Sequence, residues 1–321
     1  MTGTVESFHP VFVDHLGYAL GATKHTVEES AVAGRTVSSA AALGDAGFRH
    51  HHVCPPEESA YDLAVAAVDA MRVDVKRLDA IVYATCIPQN ANVGTGDFSR
   101  SRDVKDLMDF PASRLQTHLE ARDAIVVGLN QQACTGMLGS LRLARALIRS
   151  EGFDNVLCVT ADRFPAGARY EQAYNLISDG AGACLVTRAS GRYQLLAVHH
   201  VTNGAMVQDS DDETVGSFFS YMHQAVQSTV AGIGLTLADI DWVVPQNTNA
   251  KAWEILARLL HVPSERVVAP TLADVGHVIS ADNIVNLAAL GTEEVVQPGD
   301  KILLPMAGYG MNWQCAVLEA T

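Results

Sequence analysis

Two stretches of this chain, far apart, follow the same order of elements. Asp62–Met71 (DLAVAAVDAM) has helical periodicity and is followed by RLDAIVYATCIPQN. His223–Ile233 (HQAVQSTVAGI) has it too and is followed by DIDWVVPQNTN. In each, a helix gives way to a turn, an apolar residue plus Asp, a short β-rich run (Leu78–Ala84, then Ile240–Val244) and a polar loop. Each half goes on with a small-residue loop opening a helix, Ala133–Ile148 (ACTGMLGSLRLARALI) and Gly276–Leu290 (GHVISADNIVNLAAL). An Asp-led strand follows (Phe153–Thr160, then Gly299–Pro305), and GAGACLV and NWQCAVL close the two halves. The period is too long for a solenoid. It implies two similar α/β halves, residues 1–190 and 191–321, joined near Gly191, with strands apolar enough to be buried on both faces.

A duplicated chain can bring two equivalent loop-to-helix junctions to one place. Here those junctions hold Cys134 and His277, and a pseudo-twofold axis would let both helix starts converge on a single site. A cysteine where a strand turns into a helix faces unpaired N–H groups and the positive end of the helix dipole, which favour its thiolate. The small neighbours Ala133, Thr135 and Gly136 leave room for a substrate, and the Cys134 N–H can help hold an oxyanion.

Composition narrows the function. The chain has 321 residues, 48% hydrophobic, with 22 basic against 36 acidic side chains and a net charge of −14. That balance argues against nucleic-acid binding by counterion release and against docking on anionic lipid. No stretch approaches a membrane span, and MTGTVESFHPVF has neither the basic nor the apolar part of a secretion signal, so a cytoplasmic protein is expected. The six cysteines form no C-x-x-C pair, which points to reduced thiols. Cys86, Cys158, Cys184 and Cys315 lie in or beside apolar runs and are expected to pack as small hydrophobes. The His50–His52 run is not expected to bind metal, because consecutive residues rarely point the same way. The Gly-rich runs lack a P-loop pattern, and Asp179 is expected to tie loops together.

Several segments together resemble the ketoacyl-acyl carrier protein synthase III family of the thiolase superfamily. QQACTGML resembles its nucleophile segment, A-C-[AS]-G with an apolar residue following. FRHHHVCPPEESAYDLAVAA resembles its N-terminal Arg/His stretch, and NLISDGAGACLVT its F-G-D-G-A-G-A strand. IDWVVPQNTNAKAWEIL resembles D-W-x-x-P-H-Q-A-N-x-[RK], and LLPMAGYGMNWQCAVL resembles G-G-G-F-x-W-G-x-A. The matches run in the family's order from about residue 10 to the C-terminus. They imply a homodimeric thiolase fold with five layers, α-β-α-β-α, and a variable cap at about 85–122 over the acyl pocket and part of the dimer contact.

For the site, the resemblance implies that Cys134 is the acyl-accepting nucleophile and that Cys134 and Gly310 supply the oxyanion-hole N–H groups. It also implies that Lys251 and Asn249 meet the carrier's pantetheine arm, with Arg100, Arg102 and Lys105 as further docking candidates. No resident cofactor or metal is expected; the acyl-phosphopantetheine or coenzyme A thioester is a substrate. The family's tryptophan that stacks on coenzyme A has no counterpart, so a carrier protein is the better donor.

Two departures change the expected chemistry. Where the family has its histidine, this chain reads Gln246, Asn247, Thr248, Asn249; where the family has its asparagine, it has His277. The family's His and Asn together stabilise the enolate left by decarboxylation of a malonyl thioester. A lone histidine beside the cysteine instead resembles an acyl-transfer arrangement, with His277 as base and Asn247 or Gln246 orienting it. Asp282 is a further candidate orienter. The pattern resembles the natural-product acyltransferase branch, which moves an acyl group from a carrier thioester to a hydroxyl or amine of a small molecule. The alternatives are a carbon–carbon bond-forming synthase using His277 with Asn247, and a catalytically silent partner subunit.

Overall fold

The structure is a computed structural model that describes residues 9–75, 77–87, 98–292 and 295–321. Its frame is one nine-stranded sheet whose two ends repeat the same topology. The first half contributes β1 (Phe12–Leu20), β2 (Ala80–Ala84), β3 (Ile125–Leu129), β4 (Asn155–Asp162) and β5 (Gly180–Thr187). The second contributes β6 (Tyr193–Thr202), β7 (Trp242–Val243), β8 (Lys301–Gly308) and β9 (Asn312–Ala320). The spatial order is β7-β8-β9-β6-β1-β5-β4-β2-β3. In the first half β2 runs parallel to β3 and β4, while β5 lies antiparallel between β4 and β1. The second half repeats this with β7 parallel to β8 and β9 antiparallel between β8 and β6. Its counterpart of β3 shrinks to one parallel bridge, Val243 with Val267. The halves meet edge to edge at Phe12–Gln194 and Val13–Tyr193.

Period-two burial along the strands makes the layers. In β2, Ala80 and Val82 join one cluster while Ile81 and Tyr83 join another. In β8, Ile302, Leu304 and Met306 share the first cluster, and Leu303 and Ala307 turn the other way. That shared cluster surrounds α3 (Gly136–Glu151) and α6 (Asp282–Thr292), so these two helices form the central layer between the two half-sheets. Outside the first half lie α1 (Ala60–Ala70), started by a Ser59/Asp62 capping box, and α2 (Pro111–His118). Outside the second lie α4 (Asp211–Ala231) and α5 (Ala250–Leu260). The result is five layers, α-β-α-β-α. Cys158 and Cys184 pair across β4 and β5 facing the central layer, and Cys315 faces the outer one.

Two elements differ from the sequence expectation. The helix read from His223 begins at Asp211, where a Ser210/Glu213 capping box starts three more turns of mixed polar and aromatic sequence. The strand read over Ile240–Val244 pairs at only two residues, because Pro245 cannot donate to the ladder. Of the expected cap over 85–122, residues 88–97 lie outside the described residues; 98–118 carries three short helices. Asp179 is buried and accepts from the Cys54 and Phe164 amides and the Tyr170 hydroxyl, tying three loops together. Among the described residues no helix is long and apolar enough to cross a membrane.

Candidate active site

Cys134 stands on a strained corner. The chain leaves β3, passes Asn130–Gln132, and turns at Ala133 with φ +42°, a region that costs an L-residue roughly 1–2 kcal/mol. One 3₁₀ turn, Ala133–Thr135, then opens α3. The second half grips this corner: Gln314 on β9 donates to the Gln132 side chain (2.8 Å) and to the Thr135 hydroxyl (2.9 Å). Small residues are required around it. A Cβ on Gly308 would lie 2.7 Å from the Cys134 nitrogen, and one on Gly139 would lie 1.7 Å from the Gln132 side-chain oxygen.

His277 is held at the facing corner. Gly276 (φ +74°) precedes it, and its backbone bridges to the strand-like segment at Ile177. Its ring is fixed from behind: Nδ1 donates to Asp282 Oδ2 at 2.5 Å, and Nε2 lies 3.4 Å from Cys134 Sγ. Asp282, the first residue of α6, is fully buried; it also accepts from the Asn247 amide (2.6 Å) and the Val278 amide (2.6 Å). Thiol, imidazole and carboxylate therefore form one continuous relay.

The electrostatics separate charge along that relay. A hydrogen bond donated by the Cys86 thiol, together with the His277 charge, outweighs burial and lowers the Cys134 thiol to about 5. Burial opposes a charge on His277, but the Asp282 carboxylate and the Cys134 sulfur outweigh it and raise the imidazole to about 10. Between those limits the pair rests as thiolate and imidazolium, ready for nucleophilic attack.

A cavity open to solvent ends at Cys134 and His277. Gln246, Gly308, Tyr309 and Asn249 line it, with aromatic side chains such as Phe218 and Tyr174 toward its walls. Asn249 also caps α5, accepting from the Lys251 amide (3.0 Å), which leaves the exposed Lys251 on the first turn of that helix. Arg100, Arg102 and Lys105 are exposed as well.

Three sequence expectations are corrected here. The Asn247 side chain faces away from the imidazole: it donates to Thr271 Oγ1 (2.8 Å) and the Gly276 carbonyl (2.9 Å) and accepts from Asn286 (2.9 Å). Only its backbone N–H serves the relay, through Asp282. Gln246 does not orient His277 either, since its side-chain oxygen accepts from the Ala307 amide (2.6 Å). Gly310 does not line the cavity. Its φ of +125° shapes the β8–β9 turn, while Gly308 lies against the Cys134 amide and Tyr309 borders the cavity.

Sequence reasoning also missed two residues. Cys86 is not simply strand packing; just beyond β2 it packs against the cluster that holds Cys134 and favours that residue's thiolate. Asp162, buried at the end of β4, holds it there by accepting from the Thr85 hydroxyl (2.7 Å) and the Cys86 (2.8 Å) and Ile87 (3.1 Å) amides. The available signal was positional: β2 and β4 are parallel neighbours, so a carboxylate ending one faces the loop leaving the other.

Known proteins carry the same frame. The family model of 3-oxoacyl-[acyl-carrier-protein] synthase III matches residues 130–204, and the model of the synthase III C-terminal part matches residues 230–320. A β-ketoacyl-[acyl-carrier-protein] synthase III of Aquifex aeolicus is 24% identical over 289 residues, covering 85% of this chain and 88% of that one. Among solved structures, the synthase III of Thermus thermophilus superposes with a TM-score of 0.81 at 20% identity, over 97% of this chain and 99% of that one. ChlB3, described as an acyltransferase, superposes with a TM-score of 0.80 at 22% identity, over 97% and 98%. The duplicated five-layer frame, the cysteine corner and both family models lead to one conclusion: this chain belongs to the 3-oxoacyl-[acyl-carrier-protein] synthase III family of the thiolase superfamily.

Proposed function

We propose that this family member is an acyltransferase, carrying an acyl group from a thioester through Cys134 to the hydroxyl or amine of a small molecule. One observation carries the reading: His277 is linked to both Cys134 and Asp282, while the position of the family's histidine holds an amide, Gln246. A nucleophile, a base and a carboxylate behind the base are the parts acyl transfer needs.

Residues 1–190 supply the nucleophile and residues 191–321 the base. The Cys134 thiolate attacks the thioester carbonyl, and main-chain N–H groups of Cys134 and the Gly308–Tyr309 segment hold the oxyanion. On collapse, the His277 imidazolium gives its proton to the departing pantetheine thiolate. The acyl group is now on Cys134 and His277 is neutral. The acceptor then enters the vacated cavity, its proton passes to His277 Nε2, and its heteroatom attacks the acyl carbon. Collapse releases product and restores the thiolate–imidazolium pair. No resident cofactor enters these steps.

Lys251 and the cluster at Arg100, Arg102 and Lys105 suit an acidic acyl carrier protein as donor, against a chain that is acidic overall. A homodimer is supported by β3, an edge strand with Ile125 and Val126 exposed, which can pair with a second copy. The acceptor belongs to small-molecule secondary metabolism in this reading.

The test is intact mass after incubation with a panel of acyl thioesters, on wild type, Cys134→Ala and His277→Ala. A single acyl adduct that is lost in Cys134→Ala is expected. Absence of adduct in wild type would instead favour a silent partner subunit. Release of carbon dioxide from a malonyl thioester, with a carbon–carbon product, would overturn acyl transfer to a heteroatom.

A further inference from the structure

The amides of the cavity have fixed orientations, and those orientations select a ligand. An amide that accepts a hydrogen bond from a backbone N–H must present its oxygen there, so its NH₂ faces the other way. Gln246 accepts from Ala307 N at 2.6 Å, Asn249 from Lys251 N at 3.0 Å, and Asn175 from Asn249 N at 2.8 Å. Asn175 spends its NH₂ on the Gln172 and Ala173 carbonyls. The Gln246 NH₂ has no hydrogen-bond partner among the described residues, although Gln246 is only 5% exposed and lines the same cavity as Cys134 and His277. It is an unpaired donor of a residue lining the cavity that ends at Cys134 and His277.

None of the described residues lining the cavity is Asp, Glu, Lys or Arg, so no carboxylate there pairs with a cation. Asp282 is fully buried behind the imidazole and saturated by three donors. An amine is protonated near neutral pH, and its ammonium has no lone pair to accept from the Gln246 NH₂ or to attack the acyl carbon, so its desolvation is unrepaid. A neutral oxygen-bearing molecule meets the opposite situation. Its oxygen can accept from Gln246 while its hydroxyl proton points to His277.

On the acyltransferase reading above, we infer that Gln246 is the acceptor-binding residue and that the acceptor is a neutral hydroxyl compound, so that the product is an ester. The proton balance is that of the transfer step: the hydroxyl proton goes to His277, the oxygen bonds to the acyl carbon, and the Cys134–acyl bond breaks. Gln246 gives up no proton, as an amide cannot.

The experiment preloads Cys134 with whichever acyl group the thioester panel attaches, removes the donor, and chases with benzyl alcohol or benzylamine at equal concentration near neutral pH. Loss of adduct and product mass are followed together. Wild type is expected to discharge to benzyl alcohol faster than to benzylamine, against the order of intrinsic nucleophilicity. Gln246→Ala should lose about tenfold in transfer to the alcohol, as expected for one buried hydrogen bond, with the loss falling on transfer and not on acyl-enzyme formation. Gln246→Glu can keep the contact to Ala307 N and places a carboxylate in the cavity, so its preference should swing toward benzylamine, which a purely structural role would not produce. The inference is overturned if benzylamine is the faster acceptor in wild type, if Gln246→Ala slows acylation as much as transfer, or if neither probe outruns hydrolysis. Failure of any thioester to load Cys134 is the separate failure of the acyltransferase reading itself.

Discussion

At Gln132–Gly136 and again at Val278–Asp282 the chain turns the same corner. A non-glycine residue takes a left-handed φ (Ala133 at +42°, Ile279 at +49°), one 3₁₀ turn follows, and a central-layer helix begins. The residue after the strained one is Cys134 in the first half and Ser280 in the second. The corners touch, since the Ser280 hydroxyl donates to the Ala133 carbonyl at 2.8 Å. Duplication therefore pairs Cys134 with Ser280, and His277 comes three residues earlier, on the approach to its corner. The first corner keeps its nucleophile among small and apolar neighbours. The second is built on Asp282, Asn247, Asn283 and Asn286, all buried. One frame thus presents an electrophile-seeking sulfur on one side and a charge-holding network on the other.

Removing the charge network should have the largest effect. His277→Ala and Asp282→Asn are each expected to slow acyl transfer by roughly 10²–10⁴-fold in single-turnover assays, the usual range for a lost general base or its support. The wild-type rate should form a plateau in pH. It falls below about 5 as the Cys134 thiolate takes up a proton, and above about 10 as His277 loses the proton it must give to the leaving thiolate. In Asp282→Asn the upper limb should move to lower pH, because the carboxylate that raises the imidazole is gone. An unmoved upper limb would show that the two corners do not communicate through Asp282.

The first corner has a smaller lever in Cys86. Cys86→Ala removes a donor to the Cys134 sulfur, so the thiolate loses support and its pKa rises. Alkylation by iodoacetamide, followed against pH, should show its midpoint about one unit higher, a tenfold slower reaction on the acid side. Cys86→Ser restores a donor and should recover most of the shift. Equal midpoints in all three proteins would leave His277 as the sole source of the lowered value.

What could be read from the sequence follows the same division. The repeat, the layer order and the pairing of Cys134 with His277 rest on patterns that survive in one dimension: strand runs, small-residue junctions and the family's segments in order. The structure then sets those two side chains 3.4 Å apart. Which polar group stands behind the imidazole was not legible. Gln246, Asn247 and Asp282 were all candidates, and the choice depends on where each side chain finds its partners. Asn247 is drawn off by Thr271, Gly276 and Asn286, and Gln246 by the Ala307 amide. Gly310 carried the family's pattern, yet the close approach is made two residues earlier, at Gly308. Cys86 resembles any strand cysteine until Asp162 is seen to fold its loop back over the nucleophile.

Gly308 tests how closely the halves must meet. Its added Cβ in Gly308→Ala would lie 2.7 Å from the Cys134 nitrogen and 3.0 Å from the Gln132 carbonyl, both backbone atoms that cannot swing aside. A loss of about 1–3 kcal/mol in denaturant unfolding is expected, as for other overpacked sites. Acylation should slow as well, because the wall beside the Cys134 amide must move. Wild-type stability with slowed acylation would separate the two effects and leave only the oxyanion role.

The smallest effect belongs to Ser280, the counterpart of the nucleophile itself. Its hydroxyl makes the direct bond between the corners, to the Ala133 carbonyl, and Ser280 is almost fully buried. Ser280→Ala should cost about 1 kcal/mol in chemical denaturation, the net worth of one such bond plus part of the penalty for an unpaired carbonyl. Gln314 still grips the first corner through Gln132 and Thr135, and the Asp282 relay lies on the other side of Ser280, so the thiol midpoint should move little. If instead the Cys134 alkylation profile shifts as far as it does in Cys86→Ala, then the strained φ at Ala133 is maintained from the opposite half. The second corner would then act on the nucleophile through the backbone as well as through its imidazole.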